Sequence, residues 1–396
     1  MSDRINDISS LIEREAAAFE PSLIAIRRDI HAHPELGHDT PRTSALVTEE
    51  LKSFGLSPRT GVGGLGVTVD IPGGAGSGPL VLIRADMDAL PMDEATGLPF
   101  ASTIPGRMHA CGHDLHTATL LGVGRILAGM APRLRGGVRL VFQPAEETID
   151  SGAKRMVADG AAEGASIALG FHNMPELAVG KFGFVRGAVF ASGDEFGVVV
   201  KGRSGHAARP YTALDPIVTA SAIIMQLQTA VSRSVNPAAA PVLTIGQIHG
   251  GTAFNIIPET CFFEGTIRCR SADSREIMKN RFHEICNGVA AAMGLTCEIN
   301  FIRGCPPEVN DDAILNSTVG SLVQQFGESS LIECPGDYGT EDFAYFTELM
   351  PSAHIFVGSS QPGRNDRVHN TDYQPDERCI SFGVAALTRT AIDLLS

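Results

Sequence analysis

The sequence predicts an α/β protein: a mixed, mostly parallel sheet flanked by helices, interrupted by an inserted ferredoxin-like α+β domain. Three observations carry that prediction. Apolar runs at Pro79-Leu80-Val81-Leu82-Ile83, Gly137-Val138-Arg139-Leu140-Val141-Phe142 and Ile167-Ala168-Leu169-Gly170-Phe171 read as strands buried on both faces, as in parallel sheets. These runs alternate with stretches at helical apolar spacing. Composition shifts near residue 190, and residues 195–302 then read strand, helix, strand, strand, helix, strand, the ferredoxin-like order, before the alternation resumes. At 396 residues the chain is too long for one ordinary core. The expected division is 1–190, an insert at 191–303, and a return to the first domain over 304–396.

Taken in order, Ile8, Ile12, Ala16, Phe19, Leu23, Ile26 and Ile30 mark a helix over 6–31, ended at Pro34 of His31-Ala32-His33-Pro34. A helix over 42–54 stops at Gly55, and Gly66–Ile71 is a short strand before a glycine-rich turn at 73–78. The run at 79–83 leads straight into Arg84-Ala85-Asp86-Met87-Asp88. Met108-His109-Ala110-Cys111-Gly112-His113-Asp114-Leu115-His116 follows, and the apolar helix continues to 130. The strand at 137–142 ends in Gln143-Pro144-Ala145-Glu146-Glu147, and the strand at 167–171 ends in His172-Asn173. Inside the insert, strands are expected at 195–202, 241–248, 260–270 and 295–302, with helices at 214–232 and 273–293. Beyond it come helices at 312–326 and 341–350, a buried strand Ala353–Val357, and an amphipathic helix at 376–395. The loop before that last helix holds His369.

A net charge of −14 argues against a nucleic-acid backbone as partner. No Trp and only four Tyr argue against base-stacking platforms. The eight cysteines form no CxxC, and a chain of this size needs no disulfide staples. The N-terminus lacks a basic-then-apolar signal, and no apolar run reaches the ~18 residues of a membrane span. A cytoplasmic protein without a membrane segment is expected.

Cys111, His113, Glu146, Glu147, His172 and His369 are the candidates for chemistry, with Asp86 and Asp88 beside them. Cys and His are metal ligands, and Gly112 permits the kink that would let Cys111 and His113 close on one ion. The alternatives are a buried Cys beside unrelated histidines, or a Cys111–His113 nucleophile pair, which leaves the strand-end acids unexplained. Sites in open α/β sheets lie at the carboxyl ends of strands, and three successive strands here end in acid or imidazole groups. The mixed N, O and S donors are too many for a closed four-ligand structural zinc. They suit two divalent ions that acidify a water and polarise a carbonyl, with a free carboxylate to move the proton.

Nine stretches then resemble the amidohydrolase branch of the aminoacylase/carboxypeptidase metallopeptidase family, which includes hippurate and auxin-conjugate hydrolases. They are RADMDALP (84–91), GRMHACGHDLHTATLLG (106–122), FQPAEE (142–147), GFHNMP (170–175), GRSGHAARP (202–210), GTAFNIIP (251–258), GTIR (265–268), YGTEDFAYF (338–346) and VHN (368–370). The resemblance implies that Cys111 bridges two metals, with His113 and Glu147 completing one shell and His172 and His369 the other. It makes Glu146 the general base and acid, and Asp88 an orienting residue. Where other branches carry His-x-Asp, this chain has Asp86-Met87-Asp88, so position 86 is not taken as a ligand. The insert resembles a lid and dimerisation domain. His206 would there stabilise the tetrahedral oxyanion, reaching the partner subunit's site in related enzymes. Asn255 and Arg268 match positions that hold the substrate carboxylate. Glu341 would orient a ligand or cap a helix. His109, His116, His249, His283 and His354 are left without a role.

The expected function is therefore a di-metal hydrolase of N-acyl amino acids, working as a homodimer. A dipeptidase or carboxypeptidase of the same family is the alternative, and a non-catalytic binding protein on the same fold a third reading. Zinc or manganese is expected, with cobalt or nickel also compatible.

Overall fold

The computed structural model describes residues 2–396, and the side chains of all of these except 2–7 and 303. The chain divides into two compact units: one of residues 1–189, 309–336 and 342–396, the other of residues 190–308 and 337–341.

The first unit is built on an eight-stranded mixed sheet. From one edge its order is Arg59–Val62, Gly66–Pro72, Gly137–Gln143, Leu80–Asp86, Ile167–Ala178, Ser352–Ser360, Phe182–Phe184 and Leu331–Glu333. The four central strands run parallel, and antiparallel pairs lie outside them. Helices Ser2–Ala32, His113–Met130 and Cys379–Leu394 pack together and share one apolar core with the sheet. A smaller cluster, with Met156, Phe343 and Phe346, joins Leu82, Val141 and Ala168 of the sheet. This explains the unbroken apolar runs: residues such as Val81 and Leu82 point to opposite faces, and both are fully buried. Each such side chain contributes about 1.5–3 kcal/mol of burial.

Pairing within this sheet opens a crevice. Strand Leu80–Asp86 pairs with Ile167–Ala178 only as far as Leu169, while Ser352–Ser360 accompanies it to Ala178. The strand expected to end at Phe171 therefore continues. His172 lies mid-strand, just past the point where its other neighbour has departed. The helix expected over 341–350 shrinks to Ala344–Thr347. Asp342 accepts hydrogen bonds from Arg84, Gln143 and Ser151, which commits the preceding backbone elsewhere.

In the second unit the sheet order is Val242–Gly250, Thr260–Arg268, Asp194–Lys201, Thr296–Arg303, all antiparallel. Helices Pro216–Thr229 and Ala272–Ala292 share a core with it that includes Phe196, Val198, Phe263 and Phe282. Asp215 and Ser271 cap these helices by accepting backbone N–H bonds, worth about 1 kcal/mol each. No helix among the described residues is long and apolar enough to cross a membrane.

Candidate metal centre

The crevice gathers side chains from five segments of the first unit. Gly112 has a left-handed φ of 92°, and a Cβ there would lie 1.8 Å from Asn173 Oδ1. Only glycine fits, and helix His113–Met130 starts at the next residue. That turn brings Cys111 Sγ to 3.3 Å from His172 Nε2. His172 Nδ1 donates to Asn173 O at 2.7 Å, so Nε2 is the free nitrogen. His369 has a positive φ of 63°, and its N–H donates to Ala110 O at 2.8 Å, which pins this distant residue beside Cys111.

The two glutamates sit on a tight loop. Ala145 before them has φ 57°, a backbone state costly for a residue with a Cβ. Asp88 holds the loop from inside: it accepts Glu146 N–H at 2.9 Å and Glu147 N–H at 3.2 Å. Glu147 Oε1 stands 3.1 Å from His369 Nε2. Thus the potential ligand atoms of Cys111, His113 and His172 lie within 4.8 Å of one another, as do those of Cys111, Glu147 and His369, with the Sγ common to both sets. Proximity groups His113 both with Cys111 and His172 and with Glu146 and Glu147, so the His113–Glu147 pairing that the resemblance implies is also among these sets.

The charges favour a cation here. Burial alone would depress His113, but Asp86, Asp88 and Glu147 outweigh it and hold the imidazole up at about 10. Burial, with Glu147 and Glu146 nearby, pushes the Cys111 thiol well above its usual range. Burial pushes the His172 imidazole well below its usual range. Both nitrogens of His113, 1% exposed, lack a hydrogen-bond partner among the described residues. Its Nε2 is 3.8–4.0 Å from Asp86, Glu146 and Glu147, and its Nδ1 is 3.6 Å from Asp88, all beyond hydrogen-bond reach. Such a nitrogen, facing carboxylates across a gap, fits a metal ligand. The 3.3 and 3.1 Å ligand separations match the roughly 3–3.5 Å edge of a tetrahedron around an ion at normal bond lengths.

In the second unit, His206 and Asn255 come together on a small ribbon. His206 pairs with Ile256, and Ala207 N–H donates to Asn255 O at 3.1 Å. Both side chains are exposed, and Arg268 is half-buried at the end of its strand. His206 Nδ1 accepts from Ala208 N–H at 3.0 Å, leaving Nε2 outward. Glu341 is buried, but no helix starts there for it to cap.

Several residues outside the proposed ligand set carry buried contacts around it. His116, set aside as packing, bridges Asp86 and Asn173 N. His31 is fully buried between Asp114 and Glu94, with Arg27 also on Asp114 at 2.7 Å. The one available signal was helical spacing: His116 falls one turn after His113. Nothing in the sequence tied Asn173 or Asp342 to these partners.

Comparison with known proteins gives the same direction. An N-acetyl-L-cysteine deacetylase of Bacillus subtilis is 40% identical over 383 residues, covering 95% of this chain and 89% of the relative. An IAA-amino acid hydrolase ILR1-like 4 of Arabidopsis thaliana is 36% identical, covering 92% and 83%. The crystal structure of the Bacillus subtilis YXEP protein, described as a dinuclear metal binding peptidase, superposes with a TM-score of 0.84 at 32% identity, covering 96% and 99%. Residues 82–393 match the model of peptidase family M20/M25/M40, and the chain belongs to that family of hydrolases.

Proposed function

We propose that this protein is a dinuclear metal amidohydrolase that cleaves the amide bond of N-acyl amino acids. The observation that carries the reading is the Cys111 sulfur shared between the His113–His172 and Glu147–His369 groups, with Glu146 beside them. The names of the relatives, an N-acetylcysteine deacetylase and an amino-acid-conjugate hydrolase, support the substrate class.

Cys111, His113, Glu147, His172 and His369 would hold two divalent ions, zinc or manganese and, by the same donors, cobalt or nickel. Such ions supply an acidified water and a polarised amide carbonyl. Glu146 takes the water's proton and delivers it to the leaving amine nitrogen. Asp88 keeps both glutamate N–H groups paired and so fixes the loop on which that transfer depends. His206 donates from Nε2 to the oxyanion of the tetrahedral intermediate, and Arg268 with Asn255 binds the substrate carboxylate.

The working form is a homodimer in which His206 serves the partner's centre. Ile217, Val218 and Met225 on helix Pro216–Thr229 are exposed, and the adjacent edge strand Val242–Gly250 also exposes Val242 and Ile248. An apolar face beside an open strand edge suits pairing with a second copy. Hydrolysis of N-acetyl-cysteine, other N-acetyl amino acids and benzoyl-glycine, with and without EDTA, tests the activity. Chelation should abolish it; turnover indifferent to chelation would end the metal reading. Preference for dipeptides with a free amine would move the protein to the peptidase alternative. Mixing His206→Ala with Glu146→Gln should restore activity if His206 acts between subunits, and restore none if it acts within one.

A further inference from the structure

We propose that Asp86, His116 and Asn173 form a buried positioning chain that aims His172 at Cys111. The inference rests on the metal-centre reading above and adds what holds one side of it. The observations are hydrogen bonds with fixed direction. Asn173 N–H donates to His116 Nε2 at 3.0 Å, so that nitrogen carries no hydrogen. The hydrogen is therefore on Nδ1, which donates to Asp86 Oδ1 at 2.6 Å. Asp86 Oδ2 is itself occupied by Arg84 at 2.7 Å. At the other end, Asn173 O accepts from His172 Nδ1 at 2.7 Å, which leaves the His172 Nε2 lone pair facing Cys111 Sγ.

Asn173 thus uses both of its peptide groups in the chain: one receives its place from His116, the other sets the tautomer of His172. Its side chain donates to Tyr373 OH at 2.7 Å and presses on Gly112, between Cys111 and His113. The His116 ring fills the gap, 4.5 Å from the ring of His172 and stacked 5.5 Å from that of His113. Asp86, His116, Asn173 and Tyr373 are each at most 3% exposed. Burial shields these bonds from bulk solvent, and a lost partner would leave a buried polar group unmet. Strand Leu80–Asp86 no longer pairs with Ile167–Ala178 beyond Leu169. His116 therefore replaces the missing strand as the hydrogen-bond partner of Asn173.

A rival reading counts Asp86 and His116 as metal ligands, since their side-chain atoms also cluster with His113. Both nitrogens of His116 are already engaged, which argues against it. The two readings separate on replacement. His116→Gln retains a carbonyl able to accept from Asn173 N–H, whereas His116→Phe keeps ring bulk and accepts nothing.

The test is metal binding to the full-length protein by chelator competition, with the thiolate-to-metal absorption band of the cobalt-loaded form. Wild type should bind two ions. His116→Phe should bind one of them about 10- to 100-fold more weakly and change the band. His116→Gln should stay close to wild type. Leu121→Ala, a core change on the same helix at a residue that makes none of these hydrogen bonds, should lower the unfolding temperature without moving metal affinity or band. Loss of an ion in both His116 variants would make His116 a ligand and overturn the proposal. So would wild-type binding in His116→Phe, or equal weakening in Leu121→Ala. Wild-type protein that binds no metal would overturn the metal-centre reading and this inference together. If His116→Phe does not fold, nitrogen NMR of histidine-labelled holoprotein decides. His116 should read as the Nδ1–H tautomer with Nε2 free of metal; an Nε2–H or metal-shifted signal would contradict the chain.

Discussion

In the first unit the candidate groups are buried or half-buried and hold one another, apart from His369, whose side chain is 51% exposed; in the second, His206 and Asn255 stand in the open. Cys111 is 8% exposed and Asp88 1%, and Asp88, Asn173 and Asp342 each join two or more segments of the crevice. His206 and Asn255 sit exposed on a ribbon of two-residue strands, beside the fully exposed Phe254. The two regions therefore draw their partners from different places. The first set is satisfied within its own unit except where a cation would go. The second is built to meet something else, which under the proposed function is substrate or oxyanion.

That comparison can be broken from either side. Glu146→Gln should lower kcat by about 10²- to 10⁴-fold while both ions stay bound; loss of metal instead would mean that Glu146 and Glu147 have exchanged roles. His206→Ala should cost about 10²- to 10³-fold in kcat with metal content and unfolding temperature unchanged. A drop in metal content there would erase the contrast between the regions. Arg268→Ala should raise KM about tenfold to a hundredfold, the loss of one charge-assisted bond, for substrates with a free carboxylate. Substrates amidated at that carboxylate should show no difference between variant and wild type, and an equal penalty on both would remove Arg268 from carboxylate binding. The smallest effect belongs to Ala145. Relief of its left-handed φ competes with glycine's greater unfolded-state freedom. Ala145→Gly should therefore change stability by less than about 1 kcal/mol, read by denaturant unfolding, and a loss above that would mean the methyl group has a packing role.

The sequence is most legible where a local pattern suffices. Apolar runs locate the central strands because parallel strands are buried on both faces. The alternation of elements in 195–302 yields the ferredoxin-like unit, because each strand and helix there buries one face against the same small core. Motif resemblance identifies the family. Through-space relations escape both approaches. His172 looks strand-terminal until the departure of Leu80–Asp86 at Leu169 is known. The expected helix from 341 gives way to the hydrogen bonds of Asp342 with residues some 190 to 260 positions earlier. His116 and Asn173 carry no sequence mark of their pairing, since a backbone N–H has no residue signature. The last two strands of the sheet, Phe182–Phe184 and Leu331–Glu333, are three residues long, too short for any periodicity to register.

Under the proposed function, Cys111 is shared by two ions. Anomalous-difference crystallography of metal-loaded protein tests it most directly. Two peaks should lie about 3.5–4 Å apart, both within bonding distance of Cys111 Sγ, with His172 Nε2 on one and Glu147 on the other. A single peak, or a Cys111 sulfur remote from both, would contradict it.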